Sequence, residues 1–209
     1  MKILLINGSP KTKQSASAAL LDDCKACFSR ETEWRERHAA RPVFSPEDAA
    51  ALSWADGVVF VFPLYVDGIP SHLLSWLRQA ERSGSIRPQT RIYGMVNSGF
   101  FEGEQNALAL AMLKSWSRHA GAVWGQGLGI GGGGALTAIA SVPLGKGPKR
   151  DLGRALGDLV RHIETGASAE ERYVHVNFPR FLYIWSAQMG WRSQAKKNGL
   201  TRRDLDRRQ

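Results

Sequence analysis

The strongest constraint on the fold is the run at residues 57–62 (GVVFVF), where every position after the glycine is β-branched or aromatic. Such a strand offers no polar side to water, so both of its faces must be covered by other elements. Strands of this kind occur in parallel sheets whose crossover helices pack on both faces. We therefore predict that residues 57–62 form the central strand of a parallel sheet in an α/β domain.

The rest of the chain alternates strand-like and helix-like patterns around this run. Apolar runs predict three further strands, at residues 2–6, 91–97 and 122–130, and a weak alternation of Trp34 with charged residues predicts another at residues 32–38. Helical spacing predicts the intervening helices at residues 15–28, 45–54, from 70 onward, 104–120 and 150–165. In the helix at 104–120 we expect a buried stripe that comprises Ala107, Leu108, Ala111, Met112, Ser115 and Trp116.

Five strands joined by helices, with right-handed crossovers, leave few topologies. We predict a flavodoxin-like three-layer sandwich, a five-stranded parallel sheet of order 2-1-3-4-5 with helices on both faces. This domain would cover residues 1–168, and a basic, aromatic C-terminal helical extension would cover residues 169–209. In such sheets ligands bind beyond the carboxyl ends of the strands, at the switch point between the first and third strands.

The segment after the first strand, residues 8–17, has the composition of an anion site. Gly8 permits a tight turn, and hydroxyls, free amides and the helix dipole follow at the start of the next helix. A nucleoside-triphosphate loop would require Gly-Lys where this chain has Lys13-Gln14, so that class is excluded. The segment predicts a phosphate cradle, and a plain polar turn is the alternative.

The segments after the third and fourth strands would complete a pocket. Residues 63–70 offer an apolar wall with an aromatic side chain, and residues 97–103 offer a glycine-loosened turn with amide donors. A phosphate cradle, a stacking wall and amide donors are together what flavin mononucleotide (FMN) requires.

With these motifs the chain resembles the NADPH-dependent FMN reductase-like family, the branch of the flavodoxin superfamily without an iron–sulfur cluster. The resemblance lies in the order and spacing of GSPK at 8–11, FPLY at 62–65 and VNSG at 96–99. It assigns the FMN phosphate to Ser9, Lys11, Ser15, Ala16 and Ser17. It assigns the isoalloxazine edge and face to Pro63, Leu64, Tyr65 and Val66, and the pyrimidine side to Asn97, Ser98 and Gly99.

The resemblance implies an FMN-dependent NAD(P)H oxidoreductase. Such an enzyme takes NADPH or NADH as co-substrate and passes hydride through FMN to a small acceptor such as a quinone or free flavin. It also implies a homodimer. Because the flavin carries the chemistry, we assign no side chain a catalytic role. Two alternatives stay open: a flavodoxin-type electron carrier that does not oxidise nicotinamide, and a flavodoxin-fold protein that acts at a membrane surface through its basic tail.

Two further motifs have less specific meanings. The glycine-rich residues 127–134 contain a literal G-x-G-x-x-G, but no acidic residue follows at the required distance. We therefore expect a flexible loop near the flavin rather than a second dinucleotide site. Cys24 and Cys27 form a C-x-x-C without a second cysteine pair, so we expect two reduced thiols on a helix and no metal.

The charge of the chain is uneven. Lys and Arg number 28 against 19 Asp and Glu, a net charge of +9 that attracts anions without selecting among them. Eight basic residues and only two acidic ones fall after residue 172. There, residues 178–185 open an aromatic helix that basic residues follow, which suits packing against the core or a second subunit, or contact with a membrane surface. Nucleic acid is the least expected partner, since the tail matches no recognised module.

Hydropathy also bears on location. No stretch approaches the roughly 20 apolar residues that a transmembrane helix requires. The apolar run at residues 3–6 is too short for the core of a secretory signal. We expect a cytoplasmic protein.

Overall fold

The computed structural model describes residues 1–12, 14–201 and 204. It divides the chain into two compact units, Met1–Val176 and a second that begins at Asn177. Several basic residues of the predicted phosphate loop and tail lie outside the described residues: Lys13, Arg202, Arg203, Arg207 and Arg208.

The first unit is built on one parallel sheet. Its strands are β1 (Lys2–Asn7), β2 (Glu33–His38), β3 (Gly57–Pro63), β4 (Arg91–Asn97), β5 (Val123–Ile130) and β6 (Arg172–Val174). Their order is β2-β1-β3-β4-β5-β6, and neighbouring strands run parallel. The flavodoxin-like α/β fold and the order 2-1-3-4-5 are confirmed. The prediction of five strands is wrong, because β6 extends the sheet beyond β5.

The sixth strand is short but well anchored. Arg172, Tyr173 and Val174 pair with Leu128, Gly129 and Ile130 of β5, and the N–H of Gly131 donates to the carbonyl of Val174 at 2.8 Å. Three residues are too few to show a period in the sequence, and β6 falls inside the segment that we predicted to be a helical extension. The strand is recognised by its pairing with β5, because its own sequence shows no strand pattern.

Helices connect the strands. The described residues form α1 (Ala16–Lys25), α2 (Pro46–Trp54), α3 (Ser71–Ser83), α4 (Ala107–His119), α5 (Gly133–Leu136), α6 (Arg150–Thr165) and α7 (Arg180–Lys197). Single 3₁₀ turns at Gly103–Asn106 and Gly147–Lys149 precede α4 and α6. Among the described helices, none combines the length and apolar character needed to cross a bilayer.

The core lies on both faces of β3. Its residues from Val58 to Phe62 have no exposed surface, as the unbroken apolar run predicts. The Phe60 ring meets the rings of Trp76 from α3 and Trp116 from α4 edge to face, with centroids 6.1 and 5.5 Å apart. Aromatic pairs in this geometry add to the free energy gained from burial. The sheet is thus fixed in the region from which the site loops emerge.

Helix α4 turns a different face inward than its sequence suggested. The buried side chains include Ala109, Leu110, Leu113 and Trp116, whereas Leu108 is 58% exposed. The predicted stripe is therefore wrong at most of its positions. The alternation Ala-Leu-Ala-Leu at residues 107–110 gives the helix apolar side chains on more than one face, so the pattern alone does not define the buried one.

The two cysteines occupy the first helix and its end. Cys24 lies in α1 and is buried, Cys27 follows the helix, and both are free of disulfides. Burial raises the pKa of the Cys24 thiol to about 12, so this sulfur is protonated and unreactive at neutral pH.

Candidate functional site

The loop after β1 begins with a tight, enclosed turn. The N–H of Gly8 donates to Val61 of β3 at 2.8 Å, which ties the loop to the central strand. A Cβ on Gly8 would lie 2.6 Å from the Leu73 side chain of α3, so a larger residue here would require Leu73 to move. The side-chain oxygen of Asn7 accepts the N–H of Ser9 at 3.1 Å. The chain is therefore held in place before it reaches α1.

Three buried serine hydroxyls gather at this loop, and each already accepts one hydrogen bond. Ser9 accepts the N–H of Lys11 at 3.2 Å, and Ser15 accepts the N–H of Ala18 at 3.1 Å. Ser17 accepts the side-chain amide of Asn97 at 3.0 Å. A hydroxyl that accepts still has its own proton to donate, and among the described residues none of the three donates that proton. Three O–H donors therefore remain for a ligand.

The first turn of α1 supplies backbone donors beside these hydroxyls. Ser15 is the N-cap of α1. The N–H groups of Ser15, Ala16 and Ser17 find no acceptor among the described residues. Unpaired N–H groups and the positive end of the helix dipole attract anions. Hydroxyl and backbone donors together match the oxygens of a phosphate.

Two histidines that the sequence reasoning missed hold the loop from either side. His38, at the end of β2, places Nε2 2.8 Å from the carbonyl oxygen of Ser9. His72, in the first turn of α3, places Nε2 3.1 Å from the carbonyl oxygen of Gly8. Each ring acts as the donor, since a carbonyl only accepts. Partial burial lowers the pKa of His72, which favours its neutral form.

These histidines occupy the carbonyls of Gly8 and Ser9. The N–H groups of the first turn of α1 have no acceptor among the described residues. No local spacing in the sequence links residues 8, 38 and 72, because the sheet order alone brings them together. Lys11 is exposed at the same loop, and it is the one lysine of the predicted phosphate site that the structure describes.

The loop after β3 forms a strained two-residue turn. Tyr65 and Gly68 pair across it through mutual backbone hydrogen bonds of 3.1 and 3.0 Å. Val66 and Asp67, at the tip, have φ angles of 48° and 56°. Positive φ at both central residues defines a type I′ turn, which normally uses Asn or Gly, and a β-branched residue there is an outlier. The turn holds Tyr65 and Val66 exposed, as a flat apolar wall requires.

The loop after β4 uses its donors inside the protein. The side-chain N–H groups of Asn97 donate to Ser17 and to the carbonyl of Phe62 at 3.0 and 3.1 Å. The N–H of Ser98 donates to Ile130 at 3.0 Å. Asn97 and Ser98 are both buried, whereas Gly99 is exposed. The pyrimidine assignment of these three residues stays a prediction, and the Asn97 amide and the Ser98 N–H are already engaged.

Asn106 is a buried polar residue that the sequence reasoning did not single out. Its amide nitrogen donates to the carbonyl of Gly103 at 2.9 Å, and it lies 3.3 Å from the carbonyl of Ile130 and 3.4 Å from the hydroxyl of Ser98. Its side-chain oxygen has no hydrogen-bond partner among the described residues. Only the burial revealed by the fold marks this residue as unusual, since a lone asparagine before a helix is common.

The glycine run at residues 127–134, at the end of β5, packs closely against neighbouring backbone and is not a flexible loop, so that prediction is wrong. Residues 127–130 lie within β5. A Cβ on Gly131 would overlap the carbonyl oxygen of Phe101, and Gly132 adopts a φ of 75°. The N–H groups of Gly132 and Gly133 donate to the loop after β4, both at 2.6 Å. Side chains at these positions would keep the two loops from meeting.

Sequence comparison agrees with this architecture. Residues 1–84, which include the phosphate loop and the wall after β3, match a family model described as having a flavodoxin-like fold. The chain has a flavodoxin-like fold. The expected resemblance to the NADPH-dependent FMN reductase-like family is thereby confirmed. No curated protein matches the sequence.

Several solved structures are similar in fold to this protein. An NADH:FMN oxidoreductase (EMOB), solved in its apo form, superposes with a TM-score of 0.58 at 16% identity over 86% of this chain and 96% of its own. An NADPH-quinone reductase from P. pentosaceus gives 0.55 at 14% identity over 78% of this chain and 97% of its own. A WrbA-like flavodoxin from Agrobacterium tumefaciens gives 0.53 at 16% identity over 78% and 95%. At these identities the likeness concerns the fold.

Proposed function

We propose that this flavodoxin-like protein is an FMN-dependent NAD(P)H oxidoreductase that reduces a small acceptor such as a quinone or free flavin. One observation carries the proposal: the loop after β1 and the first turn of α1 hold three buried hydroxyls and three N–H groups that donate to no acceptor among the described residues. They lie at the carboxyl end of β1, next to β3, where sheets of this order bind their ligands.

The donor set fits a phosphate monoester. This loop offers several hydrogen-bond donors to a ligand. Histidines already engage two of its acceptors, the carbonyls of Gly8 and Ser9. The exposed Lys11 adds a positive charge, and Ser9, Ser15 and Ser17 would each donate one hydrogen bond to a phosphate oxygen. Hydrogen bonds to a charged acceptor are worth about 1.5–3 kcal/mol each, roughly twice a neutral one.

The wall after β3 would hold the ring system. Tyr65 and Val66 are presented by a turn whose positive φ angles cost free energy, and such strain concentrates at ligand sites. Bound FMN would supply the redox chemistry by accepting hydride from NADPH or NADH and delivering electrons to the acceptor. The protein binds and orients the ring, and no side chain is assigned a proton transfer.

The names of two structural neighbours favour this reaction class over a simple electron carrier. One is called an NADH:FMN oxidoreductase and the other an NADPH-quinone reductase. They differ in the nicotinamide they name, so we keep both NADH and NADPH in the proposal. A homodimer and a cytoplasmic location remain parts of the proposal that rest on the family resemblance and on the sequence.

The decisive measurement is the affinity for FMN compared with riboflavin, which lacks the phosphate. We expect quenching of flavin fluorescence by the protein at FMN concentrations at least about tenfold lower than for riboflavin, because only FMN reaches the loop donors. Equal affinity for both flavins, or no binding of either, would contradict the phosphate assignment.

Ser15→Asp provides a sharper test, because aspartate is also a good N-cap but brings a negative charge to the phosphate. We expect unchanged thermal stability and an FMN affinity lower by at least about 100-fold, since like charges a few ångströms apart repel by several kcal/mol. Gln89→Glu is the matched control: it makes the same change of charge just before β4, at the opposite edge of the sheet. Its FMN affinity should equal that of the parent protein.

A turnover assay then distinguishes an NAD(P)H oxidoreductase from a flavodoxin-type electron carrier. Oxidation of NADPH or NADH at 340 nm with a soluble quinone is expected from the FMN-loaded protein. Tight FMN binding without nicotinamide oxidation would identify an electron carrier instead.

A further inference from the structure

The second unit contains a long helix with an exposed apolar face. Helix α7 spans 18 residues. At about 100° per residue, five exposed side chains fall on one side of it: Phe181, Ile184, Trp185, Met189 and Trp191. Phe181 is 70% exposed, and Trp185 and Trp191 are each 62% exposed. Large aromatic side chains rarely remain so open without a partner.

Basic residues continue the same side of the helix. Arg192 and Lys196 are exposed and share an arc of about 160° with the five apolar side chains. We call these seven residues the aromatic-basic face. Helix α7 contains no Asp or Glu, and the sequence from residue 177 onward has eight Lys and Arg against two Asp. Apart from the exposed Gln188, which lies in the same arc, the face is apolar in its first three turns and positive in its last two.

We propose that the aromatic-basic face docks on the surface of an anionic lipid bilayer. A helix that lies in the bilayer plane buries Trp and Phe at the level of the head groups and acyl boundary. The long side chains of Arg192 and Lys196 can extend from the same face to lipid phosphates. Hydrophobic burial and attraction to anionic lipid then act together, and neither requires a preformed pocket.

Charge favours a bilayer over a second copy of this chain. Two copies of α7 packed in parallel through this face would bring Arg192 and Lys196 of each close to those of the other, and in either orientation neither helix offers an acidic residue to compensate these charges. An anionic bilayer offers negative charge over an extended area and accepts the side chains at any register. The inference is independent of flavin, since it uses residues outside the proposed cofactor site.

The test is co-sedimentation of the full-length protein with vesicles. We expect binding to vesicles with 30% phosphatidylglycerol in phosphatidylcholine, and little binding to phosphatidylcholine alone. Arg192→Ser with Lys196→Ser should weaken the partition coefficient by roughly 30-fold, at about a factor of five for each cation lost near the surface. Arg78→Ser with Arg82→Ser, on exposed positions of α3, removes the same charge elsewhere and should change binding far less.

The aromatic contribution is tested in parallel. Trp185→Ser with Trp191→Ser should abolish most binding to anionic vesicles, whereas Trp34→Ser, which removes an exposed tryptophan from β2, should retain it. Unchanged melting curves show that each variant is folded, as expected for exposed positions.

Three outcomes would overturn the proposal. The first is the absence of binding to anionic vesicles. The second is an equal loss in the α7 and α3 charge variants, which would indicate attraction by net charge alone. The third is a dimer that sediments in the absence of lipid and dissociates in the Trp185 and Trp191 variant, which would make the face a protein interface.

Discussion

Two loops at the same edge of the sheet differ in whether their hydrogen-bond donors are already engaged within the protein. At the end of β1, the hydroxyls of Ser9, Ser15 and Ser17 accept hydrogen bonds, and none of them donates its proton to a described residue. At the end of β4, both N–H groups of the Asn97 amide and the N–H of Ser98 are consumed by the protein itself. The first loop has donors left for a ligand, and the second forms a closed support for it.

The bond between Ser17 and Asn97 joins these two regions. Asn97, in the loop after β4, donates one side-chain N–H to the hydroxyl of Ser17. This bond fixes the orientation of the hydroxyl oxygen and does not use the hydroxyl proton. A site of this kind gains precision because its ligand-binding groups are positioned by groups that do not bind the ligand. We call the loop after β1 the open loop and the loop after β4 the closed loop. Changes to the closed loop should affect stability, and changes to the open loop should affect ligand binding.

The largest expected effect is a loss of stability where Gly131 packs against the closed loop. Gly131→Ala should lower the free energy of unfolding by about 3 kcal/mol, because the new methyl group overlaps the backbone of Phe101, which cannot move aside as a side chain could. Gly99→Ala is the control, since a Cβ there meets nothing within 4 Å. Urea unfolding of both variants measures the difference. Equal stability of the two would show that the loop yields and is not a rigid support.

A smaller effect, with a second readout, is expected at the open loop. Ser15→Ala should cost about 1 kcal/mol of stability, because α1 loses its N-cap acceptor. Ser45→Ala removes the corresponding cap of α2 and should cost a similar amount. Only Ser15→Ala should also weaken FMN binding, by about tenfold. If both variants bound FMN alike, the Ser15 hydroxyl would be structural only.

The smallest effect concerns the histidine behind the open loop. Burial lowers the pKa of His72, so the folded state binds fewer protons than the unfolded state as the pH falls through the ordinary histidine range. Its contribution to stability is complete above about pH 6.5 and declines below that value. His72→Gln, which retains a side-chain N–H donor, should reduce the loss of thermal stability between pH 7 and pH 5. An identical decline in both proteins would show that His72 does not titrate in this range.

The parts of the fold that the sequence predicted are those defined by long local patterns. The run at residues 57–62 became the buried β3, and the helix predicted at residues 150–165 was found as α6, with Leu152, Leu156 and Leu159 inside. Strand β6 could not be predicted, because its three residues have no period and its pairing partner lies some 40 positions earlier. The same reason hid His38 and His72, which reach the phosphate loop only through the order of the strands.

The glycine run shows a different limit of sequence reasoning. Glycine is compatible both with mobility and with close packing, and the two look the same in a sequence. Only the position of the neighbouring backbone decides between them, and here the carbonyls of the loop after β4 occupy the space. The candidate phosphate residues lie in one short segment between a strand and a helix, so a local pattern was enough to propose them, and their role stays a prediction.

The edge position of β6 has a practical consequence for anyone who shortens this protein. A chain ended after residue 168 would leave β5 as an uncovered edge strand, with a row of unpaired backbone groups, and such edges recruit strands from other molecules. Insoluble aggregates of that shortened chain would then say nothing about the role of the basic helix. A stop codon placed after Val176 removes α7 and keeps the sheet capped.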